Sequence, residues 1–267
     1  MRIEHRFRAV DVGATLEPEE RADRGQAVGA ERLERELNEA GIVKAVVAPG
    51  PRERGYLAAN NAVARLSVER PFIAFARIGG SRHPTGGLRN FRARPKEWHV
   101  TPEDVERYAY NARFHGFLMD PAHDGLPDEE VLAMLANVGL PVRVRAGHGF
   151  PPARVAATLL EWGFPTVLAS FGGYPLDRGM MREAAALLDR HDDLYLDTSA
   201  VRFRDRLEET IHEHPDRVLF GSSTPDVHPS VAVMELLTLS LSEDHLVRVL
   251  DKNPSRVVGA LSARSDG

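Results

Sequence analysis

The sequence predicts a single (β/α)8 TIM barrel of the α/β class. Three observations carry that prediction. Short apolar, β-branched runs alternate with segments of helical spacing, and the alternation repeats eight times. Such alternation argues a parallel sheet with crossover helices, and eight units in about 250 residues match the size of this barrel. No glycine-rich phosphate fingerprint follows the first strand, which weighs against the runner-up, a doubly wound open sheet. No internal repeat, low-complexity tract or linker divides the chain, so residues 1–267 read as one domain.

Each element has a local reason. Ala9 to Val12 is a short strand running into Gly13–Leu16. Glu17 to Gly29 is polar and acidic, a loop with room for a helical turn. Ala30 to Ala40 is helical, with Leu33 and Leu37 one turn apart and Gly41 as the stop signal. Ile42 to Ala48 is nearly continuous small and β-branched apolar sequence, as in a strand buried on both faces. Tyr56 to Glu69 is helical, Pro71 follows it, and Phe72 to Ile78 is the next strand. Thr101 can cap a helix and Pro102 can open it, so a helix should run from there to about Arg113. Gly116 to Met119 is a strand. Asp128 to Val138 is a helix closed by Gly139.

The remaining units follow the same rhythm. The fifth strand ends near His148, and Pro152 to Trp162 is its helix. Thr166 to Ala169 is a strand running into Ser170–Gly173, followed by a helix from Arg178 to His191. Leu194 to Leu196 ends in Asp197–Ser199, and Arg204 to His214 is helical. Arg217 to Phe220 ends in Gly221–Pro225. Val231 to Leu241 and Glu243 to Leu250 close as helices, and Asn253–Pro254 starts a short last one.

Two stretches break the rhythm. The fifth strand stretch, Leu140 to His148, puts Val142 and Val144 on one face and Arg143 and Arg145 on the other. An arginine face turned into a protein needs partners, or it costs several kcal/mol. Asp11 and Asp120 are the predicted partners. The second stretch, residues 79–102, holds Arg82, Arg89, Arg92, Arg94 and Lys96 among glycines and prolines. Loops of this length are functional lids or solvated excursions, and a basic lid would suit an anionic ligand.

Composition narrows the functions. The chain is 43% hydrophobic and 27% charged, the balance of an ordinary globular protein. A net charge of −5 argues against nucleic acid as a partner. The absence of cysteine excludes disulfides, thiolate metal sites and a cysteine nucleophile. Met1 to Arg8 lacks the apolar core of a signal peptide, and no apolar run is long enough to span a membrane. A cytoplasmic location is therefore expected.

Active sites of (β/α)8 barrels sit at the carboxyl ends of the strands. Those ends offer Asp11, Gly13 and Thr15; Arg77; Met119 and Asp120; Arg145 and His148; Ser170; Asp197, Thr198 and Ser199; and Ser222, Ser223 and Thr224. The set is rich in hydroxyls and poor in imidazole. Asp11, Asp120, His148 and Asp226 are the candidate acids, bases or catalytic groups. Thr15, Arg77, Arg145, Ser170, Ser199 and Ser223 are the candidate ligand-binding groups. Each has a plainer alternative. His148 reads more readily as a solvated loop residue and Asp226 as a helix cap near Pro229, and Asp197 can be a structural acceptor. The Ser222–Thr224 run lacks a nucleophile elbow and a histidine partner, so a serine hydrolase is not expected.

Taken in order, several short motifs resemble the amidohydrolase-related family of metal-dependent hydrolases and decarboxylases. They are Val10–Val12, Ala40–Val47, Gly139–Val142, Phe171–Gly173, Asp197–Ser199, Arg217–Ser222 and Asn253–Arg256. The resemblance implies a metal-dependent hydrolase-like barrel, but its ligand positions are replaced. The paired histidines after the first strand correspond to Gly13 and Thr15. The fifth-strand histidine corresponds to Arg145, the sixth-strand histidine to Ser170, and the eighth-strand aspartate to Ser223. Around the fourth strand, where the family often has lysine and histidine, stand Leu118 and Asp120. Serine, threonine and glycine cannot supply a zinc-type site, and a guanidinium repels a cation. No metal is therefore expected, with a divalent ion such as zinc as the alternative if the family chemistry persists. Arg145 is expected to fill the volume the metal would occupy.

Three functions compete on this reading. One is a degenerate member binding a small anionic ligand at the barrel mouth, with Arg145, Arg77 and the basic lid supplying the field. Another is an active hydrolase or decarboxylase with rearranged catalytic groups. The third is an interaction or scaffold subunit. A homo-oligomer is compatible with each.

Overall fold

Eight parallel strands hydrogen-bond in sequence order from first to last. They are β1 (Ala9–Leu16), β2 (Ile42–Pro49), β3 (Phe72–Ile78), β4 (Phe114–Met119), β5 (Val142–Gly147), β6 (Thr166–Tyr174), β7 (Leu194–Asp197) and β8 (Val218–Leu219). The last meets the first through Val12 N–H to Phe220 O at 3.0 Å and Thr15 N–H to Thr224 O at 2.8 Å, which brings the ends of the sheet together as a (β/α)8 barrel. This is a computed structural model, and it describes residues 5–18, 29–86, 95–110 and 112–262.

The helices are α1 (Ala30–Glu39), α2 (Leu57–Ser67), α3 (Pro102–Tyr110), α4 (Pro121–Asp124), α5 (Glu129–Val138), α6 (Pro152–Thr158), α7 (Arg178–Leu187), α8 (Arg204–Glu213), α9 (Pro229–Leu237), α10 (Glu243–Val247) and α11 (Asn253–Val257). Their ends follow the capping chemistry of the sequence. Thr101 Oγ1 accepts from Asp104 N–H while the Asp104 carboxylate accepts from Thr101 N–H, a reciprocal cap on α3. Gly139 closes α5 in the left-handed conformation, φ +68°, where a Cβ would be strained.

Several element bounds differ from the sequence reading. The helix expected from Pro152 to Trp162 breaks at Leu159 into α6 and a 3-10 turn, Leu160–Trp162. The segment after α10 passes through a π-helical turn, Arg248–Lys252. β1 runs on to Leu16 through a register shift between Asp11 and Ala14. β6 continues to Tyr174, with Ser170 and Phe171 at φ +54° and +52°.

Two apolar layers flank the strands. The larger lies between sheet and helices and contains Val142, Val144, Leu168 and Leu196 with Leu37, Leu132 and Leu207. The smaller is built from alternate strand residues, including Val10, Val46, Phe75, Leu118, Val167 and Leu219, and it fills the barrel. A Cβ on Gly116 would lie 2.4 Å from the Phe75 ring, so this strand glycine makes room for the largest side chain of that inner layer. Val258 and Leu261 join the inner layer beyond the last strand and close the barrel floor.

The basic stretch at 79–102 is anchored where it is described. Arg82 pairs in antiparallel fashion with Leu126, and its guanidinium sits 3.8 Å from Glu129. Lys96 lies 4.9 Å from the Trp98 ring. Arg89, Arg92 and Arg94 fall outside the described residues. Among the described residues, no helix is long and apolar enough to cross a membrane.

Candidate functional site

Arg143 and Arg145 leave β5 on one face, as the alternation requires, but they do different things. Arg143 is buried. Its Nε donates to Asp197 Oδ2 at 2.7 Å and its Nη2 to Ser199 Oγ at 3.0 Å. The other carboxylate oxygen, Asp197 Oδ1, accepts from the backbone N–H groups of Ser170 and Ser199 at 2.9 and 3.0 Å. The pair therefore ties β5, β6 and β7 together inside the barrel, each charge desolvated but hydrogen-bonded. A Cβ on Gly13 would stand 2.6 Å from Ser199 Oγ and 2.8 Å from Arg143 Nη2. The guanidinium packed against residue 13 is thus that of Arg143. Arg143 lies one layer deeper along β5 than Arg145 and is the less exposed of the two.

The predicted carboxylate partners resolve as follows. Arg145 pairs with Asp120, Nη1 to Oδ2 at 3.7 Å, so that expectation holds. Asp11 pairs with neither arginine. It accepts from Gly13 N–H at 2.8 Å, Ser222 N–H at 2.9 Å and Ser222 Oγ at 2.5 Å. Burial pushes the Asp11 carboxyl above the ordinary aspartate range, against the pull of those hydrogen bonds and of Arg143.

Arg77 is only 1% exposed. Its Nε donates to Asp124 Oδ2 at 2.8 Å and its Nη2 reaches Asp120 Oδ2 at 3.3 Å. The guanidinium also lies over the Tyr56 ring, 5.0 Å from its centre. Tyr56 in turn donates to Asp124 Oδ1 at 2.6 Å. Burial raises the Tyr56 phenol, and Arg77 offsets part of that rise.

A cavity of about 290 Å³ opens at the carboxyl ends of the strands. Its charged and titratable lining is Asp120, Arg143, Arg145, His148 and Asp226. Ser170 and Ser223 add hydroxyls, and Ala122, Ala146, Phe150, Ala169, Tyr174 and Pro175 make the walls largely apolar. Asp120, His148, Asp226, Arg145, Ser170 and Ser223 are thus brought together as the strand-end argument requires.

Asp11, Thr15, Arg77 and Ser199 lie outside the cavity wall. Arg77 is held by two carboxylates, Ser199 is turned to Arg143, and Asp11 is sealed beneath Ser222. Thr15 packs towards Gly50 on the β1–β2 side. Nor do Arg82 and Lys96 line the cavity, so among the described residues the guanidinium groups at its wall come from β5.

Arg145 is the more exposed of the two guanidinium groups in the cavity wall. Its side chain is 35% exposed, and the Asp120 contact is its one ion pair among the described residues. No hydrogen bond to its guanidinium occurs among them. Burial, reinforced by Arg143, draws Arg145 below the ordinary arginine value; a guanidinium stays charged all the same. His148 is 60% exposed at the rim, its Nε2 3.7 Å from Asp177 Oδ2. Asp177 also caps α7 by accepting from Met180 N–H at 2.9 Å. The sequence reading missed Asp177, although an aspartate just before the helix at Arg178 is a capping signal. Asp226 does not cap α9: the cap is His228, whose ring accepts from Ser230 N–H.

Comparison with known proteins follows from this geometry. A family model described as Amidohydrolase matches residues 13–260. No curated protein matches the chain. Among solved structures, the chain is similar to a 2,6-dihydroxybenzoate decarboxylase from Rhizobium (TM-score 0.68, 13% identity, covering 95% of this chain and 99% of that one). It is similar to a 5-carboxyvanillate decarboxylase from Novosphingobium aromaticivorans with bound manganese (0.66, 13% identity, 95% and 97%). A probable 2-pyrone-4,6-dicarboxylic acid hydrolase from Acinetobacter baumannii, with citric acid bound, also matches (0.63, 14% identity, 95% and 100%). At these identities the likeness concerns the fold.

Proposed function

The chain belongs to the amidohydrolase family, and from that premise we propose that it binds a small ligand bearing an anionic group at the carboxyl-end mouth of the barrel, without divalent-metal chemistry. The observation that carries this reading is Arg145, a cation in the cavity wall with one distant carboxylate and no hydrogen bond among the described residues. Guanidinium donors in a partly desolvated wall favour carboxylate or phosphate oxygens, which take two parallel N–H donations.

The residues present do not fit the metal that the family resemblance implies. Among the described residues, no three histidine, cysteine, aspartate or glutamate side chains group as a cation site. The space beside Gly13 is taken by the Arg143 guanidinium, whose charge opposes a cation. Asp197 has both oxygens engaged by Arg143 and by backbone N–H groups.

A second reading is favoured by one observation: the His148 ring lies 3.7 Å from the Asp177 carboxylate at the rim of the same cavity. A histidine beside a carboxylate is a pairing that can move protons, so residual hydrolase or decarboxylase activity would be sought there.

Thermal melts test the binding reading. A panel of small carboxylates and phosphates is added to the wild-type protein and to Arg145→Met. A ligand at 100 times its Kd stabilises by about 2.7 kcal/mol, or roughly 5–10 °C for a chain of this size. The expected result is a dose-dependent rise in the wild type that Arg145→Met abolishes. No shift across the panel, or shifts that survive in Arg145→Met, would overturn the proposal. Zinc or manganese offered to chelator-free protein should be retained at far less than one ion per chain. Stoichiometric retention would refute the metal-free part.

A further inference from the structure

The cavity wall carries charges of both signs, and most are already matched. Arg143 is held by Asp197, Asp120 faces Arg77 at 3.3 Å, and His148 lies 3.7 Å from Asp177. What remains is Arg145, which has only the 3.7 Å contact with Asp120 and no hydrogen bond among the described residues, and Asp226, with neither a hydrogen bond nor an ion pair among them. Asp226 is exposed on the loop after β8 and lines the same cavity. Its charge acts on Arg145, but no ion pair closes between the two. Opposite charges lining one largely apolar cavity, with no ion pair between them, form a complementary template for a molecule that carries both charges itself.

We infer that the ligand is a zwitterion, its anionic group on Arg145 and an ammonium or similar cationic group at Asp226. This rests on the binding site proposed above and adds the chemical class of the occupant. Asp120 is a poorer partner for the cation, because two guanidinium groups already flank it. Asp177 is engaged by His148 and by the start of α7. A ligand with the anionic group alone would leave Asp226 solvated and would feel its repulsion. A zwitterion turns that repulsion into attraction and gains specificity against simple acids.

The test uses matched probes: glycine, β-alanine, 4-aminobutyrate and 6-aminohexanoate, each beside its acid lacking the amino group. Affinities are measured by calorimetry for the wild type, Asp226→Asn and Arg145→Met. The expected result is that one amino acid binds the wild type about fivefold tighter than its plain acid, the scale of a partly exposed ion pair. Asp226→Asn should erase that advantage while the plain acid binds at least as well. Arg145→Met should weaken both. Plain acids that bind the wild type as tightly as the amino acids would overturn the zwitterion and leave the anion site standing. An advantage that persists in Asp226→Asn would also overturn it. Failure of every probe to bind the wild type would sink both proposals. Melting of Asp226→Asn at the wild-type temperature establishes that the exposed substitution has not disturbed the fold.

Discussion

Replacing Arg143 by methionine keeps much of the side-chain volume and removes the donors that reach Asp197 Oδ2 and Ser199 Oγ. The Asp197 side chain is 0% exposed and that of Arg143 9%, so the orphaned carboxylate cannot turn to bulk water. Oδ1 keeps its two backbone donors, which limits the damage. Oδ2 loses its charge-assisted bond, worth about 1.5–3 kcal/mol. Breaking a buried pair from one side costs about 3–5 kcal/mol in total. The retained bonds on Oδ1 place the expectation near the lower end, about 3 kcal/mol, or roughly 6–12 °C in Tm. Urea unfolding of Arg143→Met, Asp197→Asn and the double variant measures both the loss and the coupling. The double variant should lose well under the sum of the two single losses, since removing both charges leaves neither one orphaned. A loss under about 1 kcal/mol for Arg143→Met, or additive losses, would refute the claim that this pair is a desolvated internal tie.

Two further outcomes follow from the same interior. Gly13→Ala should cost about 1–3 kcal/mol by overpacking, because its Cβ would press on Ser199 Oγ and Arg143 Nη2; denaturant unfolding at wild-type stability would show that the two groups yield freely. The raised Asp11 carboxyl has a definite sign. Its stabilising contribution is present below the ordinary aspartate value and is lost as pH rises through its higher value in the folded protein. Asp11→Asn cannot titrate, so Tm profiles of wild type and variant should diverge against the wild type over that window, and parallel profiles would contradict the shift.

The barrel was legible because its signals are local. Short apolar, β-branched runs marked the strands, Thr101–Pro102 opened α3, and Gly139 closed α5. Charged residues on an apolar strand also marked β5 as the place to look. Which carboxylate meets which arginine was not legible. Asp197 lies 54 residues from Arg143 and Asp124 lies 47 from Arg77, and their meeting depends on register and loop path. Arg77 and Arg145 look alike at strand ends, yet one is sealed between two carboxylates and the other faces a cavity. That difference comes from α4, a four-residue helix whose Asp124 turns back under β3. Asp177 was readable as a helix cap; its second role beside His148 was not, because one contact is local and the other crosses from β5.

The floor of the barrel has a consequence for how the molecule is made. Val258 and Leu261 sit beneath strands that begin at Ala9. Arg8 donates to the Leu261 carbonyl and Lys44 to that of Ala260, at 2.5 and 3.1 Å. On a ribosome, all eight strands emerge before this plug does. Until it arrives, the ring of Val10, Val46 and Leu219 is open from below, and sticky apolar surface faces solvent or a chaperone. Chains halted near residue 255 would therefore carry a complete set of strands and still behave as unfinished protein, prone to aggregation and degradation rather than to partial function.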